Sequence, residues 1–206
     1  FENRGTSREV FSGKLLQPGQ VAEKVASLAA GQDFVGLYTG GPMVIANSNS
    51  KGQRHFFGTE NYNVDYSLFD GPRAVKSLVA GADWDDEKLK TSILSAAAKL
   101  SLLKKPIQEV KRGSYRVYMA PDAVHALVGM FSWGGLAQST YKRGQSALQK
   151  WIDGKESFSP LFSLSENFGL GGTPRFNSLG EVSPATLPLI EKGKLKQLLT
   201  SSRSAK

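Results

Sequence analysis

Tyr62, Val64, Tyr66 and Leu68 recur at every second position, and Asn63, Asp65 and Ser67 stand between them. Side chains on a strand alternate between its two faces. This run therefore predicts a strand with one apolar face against a core and one polar face outward. Such a strand needs partners, and the neighbouring sequence offers them. "DFVGLYTGG" and "PMVIANS" are rich in β-branched and aromatic residues, and Gly40, Gly41 and Pro42 separate them, which predicts a hairpin. "NSNSKGQ" supplies the Asn, Ser and Gly of a second turn. After Gly71-Pro72, "RAVKSLVAGADW" predicts a further strand of the same sheet, completing a meander of at least four strands.

Helical patterns flank this sheet. In "QPGQVAEKVASLAAG", Pro18 suits a first helical turn, Val21, Val25 and Leu28 follow at helical spacing, and Gly31 stops the run. A longer helix is capped by Asp85 or Asp86 within the acidic run Asp85-Asp86-Glu87. Its apolar face is Leu89, Ile93, Ala96, Ala97 and Leu100, and it ends before Pro106. "PIQEVKRG" reads as a linker. Beyond it come a predicted strand, "SYRVYMA", and helical patterns from Pro121 to Phe131 and from Leu136 to Ile152, broken at Gly134 and Gly135. Tyr115, Tyr118, Phe131 and Trp133 are expected in the core. A loop-rich stretch leads to a hairpin around Glu191-Lys192-Gly193.

The expected fold class is α+β, in two units. Residues 1–108 form a largely antiparallel sheet with helices on one face, residues 109–112 link, and residues 113–206 form a strand–helix–helix–hairpin unit. Leu187, Leu189 and Leu195 fall on one face of the last hairpin, where an open edge is expected to invite pairing with another chain.

Composition excludes several classes of function. There is no cysteine among the 206 residues, which removes disulfides, thiolate zinc sites and a thiol nucleophile, and fits a reducing compartment. No apolar run approaches the roughly 20 residues that span a bilayer, so no membrane partner is expected. The start lacks the apolar stretch of a signal peptide and has no initiator methionine, so the chain reads as a piece of something longer. A formal charge of +8 admits acidic partners, nucleic acid included. The basic residues are scattered, however. Lys104, Lys105, Lys111 and Arg112 surround the linker, and Lys192, Lys194 and Lys196 alternate with Gly193 and Leu195 as a strand's outer face does. These are solvated faces, and no specific nucleic-acid partner is expected.

The order of several segments resembles the TldD/PmbA family. "DFVGLYTGG…ANSNSKGQRHFF…NYNVDYSLF" and "KSLVAGADW" resemble its N-terminal domain. "YRVYMAPDAVHALVG" resembles the start of the C-terminal domain in the TldE (PmbA) branch, and "FNSLGEVSPATLPLIEKGKLKQLLTSSRSA" resembles a later segment of it. The likeness covers nearly all of residues 31–206, as the middle of a longer member. It implies a cytoplasmic peptidase system that matures peptides and degrades small or unfolded ones. TldD members carry HExxxH on a helix, two histidines for zinc and a glutamate as general base, while TldE members lack it and form the non-catalytic half. The older family name, modulator of DNA gyrase, does not imply DNA binding. Asn47, Ser48, Gly52 and Gln53 match a family segment and are candidates for substrate or partner contact. Turn chemistry explains the same residues.

His125 is the residue on which a metal reading rests. An HExxxH site needs two ligands about one turn apart on a helix, with the glutamate beside the bound water. Neither Pro121 nor Gly129, a turn away on either side of His125, binds metal. Asp122 is the only acid nearby and suits the first helical turn, as cap or by charge. The other histidine, His55, lies in the other predicted unit. No zinc is therefore expected in this chain, only in an HExxxH-bearing partner. The expected function is a TldE-like non-catalytic subunit paired with a TldD-like subunit, or with its own kind, and acting on peptides. Two alternatives stay open: a basic nucleic-acid-associated module, and an independent hydrolase with residues the sequence does not pick out. "GLGG" at 169–172 lacks the lysine and helix of a phosphate loop, and no GxSxG appears.

Overall fold

A computed structural model describes residues 2–205. It divides into two compact units, one ending at Lys111 and one beginning at Arg112. The fold class is α+β, as the patterning predicts.

The first unit is organised by its longest strand. β1 (Thr6–Phe11) and α1 (Pro18–Leu28) precede β2 (Asp33–Ser48), β3 (Arg54–Asp70), β4 (Arg73–Gly81) and α2 (Asp86–Leu102). β2 pairs antiparallel with β3 through sixteen consecutive positions, from Asp33 opposite Phe69 to Ser48 opposite Arg54. β3 gives its other side to two strands in succession. β1 runs parallel to residues 54–59, and β4 runs antiparallel to residues 62–70. Tyr62, Val64, Tyr66 and Leu68 point to one face and are at most 2% exposed. They pack with Val79 of β4 against Leu89, Ile93, Ala96 and Leu100 of α2, and Val25, Leu28 and Ala29 of α1 and its end join them. Asp85 caps α2, its side chain accepting from the Lys88 N–H at 3.0 Å.

Two expectations change here. The Gly40-Gly41-Pro42 stretch is not a turn, because β2 runs straight through it with no shift of register. Gly40 serves close approach instead: a Cβ there would lie 2.4 Å from the Tyr38 hydroxyl. The polar opening of the chain holds a strand, β1, whose parallel partner lies about fifty residues on, out of reach of any local pattern.

The second unit contains α3 (Pro121–Gly129), a 3-10 turn at Met130–Ser132, α4 (Gln138–Lys142), α5 (Gln149–Ile152), β5 (Leu164–Asn167), a 3-10 turn at Phe168–Leu170, β6 (Thr186–Glu191) and β7 (Lys194–Leu195). The strands form one small sheet in the order β5-β6-β7. Its core joins Leu136, Trp151, Leu189 and Ile190 to Phe158, Phe162 and Leu187. The Trp151 indole donates to the Gly193 carbonyl at 3.1 Å, locking the hairpin turn onto α5. That turn holds Lys192 and Gly193 at φ of 50° and 76°, the backbone of a two-residue hairpin connection.

The second unit also departs from expectation. "SYRVYMA" is not a strand, since among the described residues no other strand lies beside it to take its hydrogen bonds. The helix expected from Leu136 to Ile152 is two short ones. Between them Gly144 takes φ of 68°, and the buried Ser146 hydroxyl donates to the Gly135 carbonyl at 2.6 Å. Tyr115, Tyr118 and Trp133 are exposed rather than core, and only Phe131 packs inward, against Phe158 and Phe162. The last hairpin is covered, too. Leu187, Leu189 and Leu195 join the core, and the chain beyond bridges to residue 137, with the Leu199 N–H donating to the Leu136 carbonyl at 2.8 Å.

Candidate functional site

The turn between β2 and β3 holds the sequence's candidate contact residues. It is an Asn-directed turn. The Asn49 side-chain oxygen accepts from the Lys51 N–H at 2.9 Å and the Gln53 N–H at 3.3 Å, and Gly52 supplies a φ of 92°. Gln53 is 2% exposed. Its amide donates to the Asn47 side chain, and its oxygen accepts from the Arg4 N–H at 3.3 Å. Asn49 donates to the Glu2 carbonyl at 2.7 Å. The structure thus brings Asn47, Gly52 and Gln53 together as a clasp that ties the turn to the segment entering β1. Ser48 stands apart, exposed and opposite Arg54 in the ladder. A buried amide with both ends bonded fixes backbone and has little left to offer a ligand.

One polar contact in this region has no local sequence signal. Ser7 of β1 and His55 of β3 stand opposite each other, with Ser7 Oγ 2.8 Å from His55 Nδ1. On the other side of His55, Asn47 of β2 is its register partner. A hydroxyl on an imidazole is the elementary unit of a serine nucleophile. Here the imidazole is 3% exposed, so the pair cross-links β1 to β3 inside the sheet. Only a recognised β1 would have placed the two residues together.

His125 lies on α3, none of whose residues is buried. It lines a groove of about 340 Å3 with Val128, Ser132, Leu136, Glu166 and Leu189. Glu166 is the one carboxylate in that lining. Asp122 occupies the first turn of α3, while the cap position is Ala120 and has no side-chain bond. Zinc takes at least three protein ligands, and no group of three or more His, Cys, Asp or Glu is placed to hold a metal among the described residues. The residues at His125 therefore do not fit a zinc centre.

At the junction of α1 and α2, Trp84 and Lys24 both bind the Asp86 carboxylate. The Lys24 ammonium first, and the Trp84 indole second, hold its pKa below the ordinary value. Burial pushes the neighbouring Tyr62 hydroxyl up. These groups close the lower core and carry no reaction geometry. No helix among the described residues is long and apolar enough to cross a membrane.

Residues 112–206 match the PmbA/TldA metallopeptidase C-terminal domain. No curated protein matches the chain. Among solved structures, 92% of the chain superposes on a Bacteroides thetaiotaomicron protein named for modulation of DNA gyrase, with a TM-score of 0.71 and 16% identity. The match covers 46% of that protein, so the chain spans less than half its length. At this identity the likeness is one of fold. The second unit is thus similar to the C-terminal domain of the PmbA/TldA metallopeptidases, and most of the chain shares its fold with that Bacteroides thetaiotaomicron protein.

Proposed function

We propose that this chain is a TldE/PmbA-like, non-catalytic part of a TldD/TldE-type zinc peptidase assembly, working in the cytoplasm on the maturation and degradation of small or unfolded peptides. The observation that carries the reading is a metallopeptidase domain match in a chain that has no HExxxH. Its two histidines, His55 and His125, lie in different units. Zinc and the general base then come from a TldD-like subunit, and this chain helps enclose that site and hold peptides in extended form. The first unit acts as part of the family's N-terminal domain and the second as part of its C-terminal domain.

The test is reconstitution. Peptide cleavage is measured for this chain alone, for a TldD-like HExxxH subunit alone and for the mixture. The reading expects no cleavage by the chain alone and faster cleavage by the mixture than by the HExxxH subunit alone. Cleavage by this chain alone, or a mixture no faster than its HExxxH component, contradicts it.

A further inference from the structure

One face of the first unit's sheet carries two positive charges with no acid set against them. The strand register fixes its layout, since residues opposite one another on neighbouring strands share a face. Thr6 of β1, Arg54 of β3 and Ser48 of β2 form one row across the sheet, and all three are exposed. In the next row Arg8 stands opposite Phe56, and its guanidinium carbon lies 4.5 Å from the centre of the Phe56 ring. In the third row Val10 and Val44, exposed at 55 and 60%, flank Gly58, which has no side chain to fill the space between them.

We propose that this face binds an acidic peptide segment, with Arg8 and Arg54 on its carboxylate and an apolar side chain two residues along resting between Val10 and Val44. The inference deepens the peptide-holding reading and rests on it for the kind of ligand. Arg8 and Arg54 stand one row apart on adjacent strands, roughly 8 Å between Cα positions by strand spacing and rise, so both guanidiniums reach one carboxylate. Stacking on Phe56 orders Arg8 before an anion arrives, so less side-chain freedom is lost when its planar fork closes. Thr6 and Ser48 add hydroxyl donors on either side of Arg54. Among the described residues neither arginine has an acidic partner. Glu2 is paired with Arg4, and Glu9 alternates to the opposite face of β1. Glu60, farther along the same face, accepts from the Gly13 N–H at 2.9 Å. The charge is therefore left for a ligand to complement. A nucleic acid fits less well. Phe56 is covered by Arg8 and is not free to stack on a base, and an apolar row, rather than more positive charge, lies beside the arginines.

The test is titration calorimetry on the full chain with no HExxxH subunit present, so its failure is distinct from failure of the reconstitution. The probe is acetyl-Ala-Glu-Thr-Leu-Ala-amide, blocked at both ends so that the glutamate is its one charge. Replacing that glutamate by glutamine should weaken binding about tenfold, and so should Arg8→Ala or Arg54→Ala. Arg8→Lys keeps the charge without the fork and should recover only part of the loss. Lys194→Ala removes a positive charge from β7 of the second unit and should bind as the wild type does. Arg8→Glu/Arg54→Glu should prefer the probe with lysine in place of glutamate. No measurable binding by the wild type, equal binding of the glutamate and glutamine probes, or an equal loss in Lys194→Ala overturns the proposal. So does a single-stranded oligonucleotide that binds this face more tightly than the probe. Binding by this chain that a longer natural form of it lacks also overturns it, because further chain then covers the face.

Discussion

Trp84 donates its indole N–H to Asp86 at 2.6 Å, and the same carboxylate binds Lys24 from α1. One side chain in the first turn of α2 thus fastens both helices that cover the sheet. With its folded pKa depressed, chiefly by Lys24, Asp86 contributes stability that is full above the ordinary value of 3.8. That contribution is lost as the pH falls through the depressed value. Asp86→Asn should be less stable than wild type at neutral pH, and the two should converge as the solution is made more acid. Urea denaturation at a series of pH values checks this. A constant difference down to the acid limit means that the ion pair contributes nothing.

Tyr66 is 1% exposed, and its hydroxyl lies 2.7 Å from the Ser92 hydroxyl, one of the bonds between α2 and the sheet. Ser92→Ala leaves a buried hydroxyl without this partner and should cost about 1–3 kcal/mol. Adding Tyr66→Phe removes the stranded group, so the double variant should be less destabilised than the sum of the two single changes. Additive losses in a double-mutant cycle would show that the bond does not couple the two elements.

The turn before β3 allows a contrast between neighbours. Gln53→Ala removes a buried side chain together with its bonds to Asn47 and the Arg4 N–H and should cost about 1 kcal/mol or more. Ser48→Ala, at an exposed position, should stay within about 0.5 kcal/mol of wild type. Chemical denaturation of both variants decides whether this segment is a clasp. Near-neutral behaviour of Gln53→Ala would count against that account.

Lys192 holds a left-handed backbone, φ 50°, in the hairpin turn ahead of Gly193. Asparagine tolerates this conformation better, and Asn-Gly is the favoured pair for such a turn. Lys192→Asn should raise stability by up to about 1 kcal/mol. A thermal melt that is unchanged or lower would contradict the turn geometry.

How much of this was legible in the sequence depends on how local the deciding contact is. The alternation of Tyr62 to Leu68, the Asp85 cap and the Lys192-Gly193 turn are decided by near neighbours, and each is where the pattern puts it. Gly40-Gly41-Pro42 misleads because glycine marks both turns and close approaches. The long partner strand β3 holds β2 straight there, and Gly40 makes room for the Tyr38 ring. "SYRVYMA" has the composition of a strand but, among the described residues, no strand beside it, and composition without a ladder is not a strand. The Ser7–His55 contact depends on a parallel pairing across 48 residues, which no local pattern encodes. At the candidate site, the same distance hides why Gln53 is buried, since Arg4 and Glu2 close over the turn from the far end of the unit.

The central claim is that this chain supplies no zinc centre of its own. The direct measurement is elemental analysis after dialysis against zinc, for the chain alone, for His125→Ala and for the chain mixed with an HExxxH subunit. The account predicts far less than one zinc per chain, no change in His125→Ala, and zinc in the mixture equal to what the HExxxH subunit carries alone. About one tightly held zinc per chain, lost in His125→Ala, would contradict it.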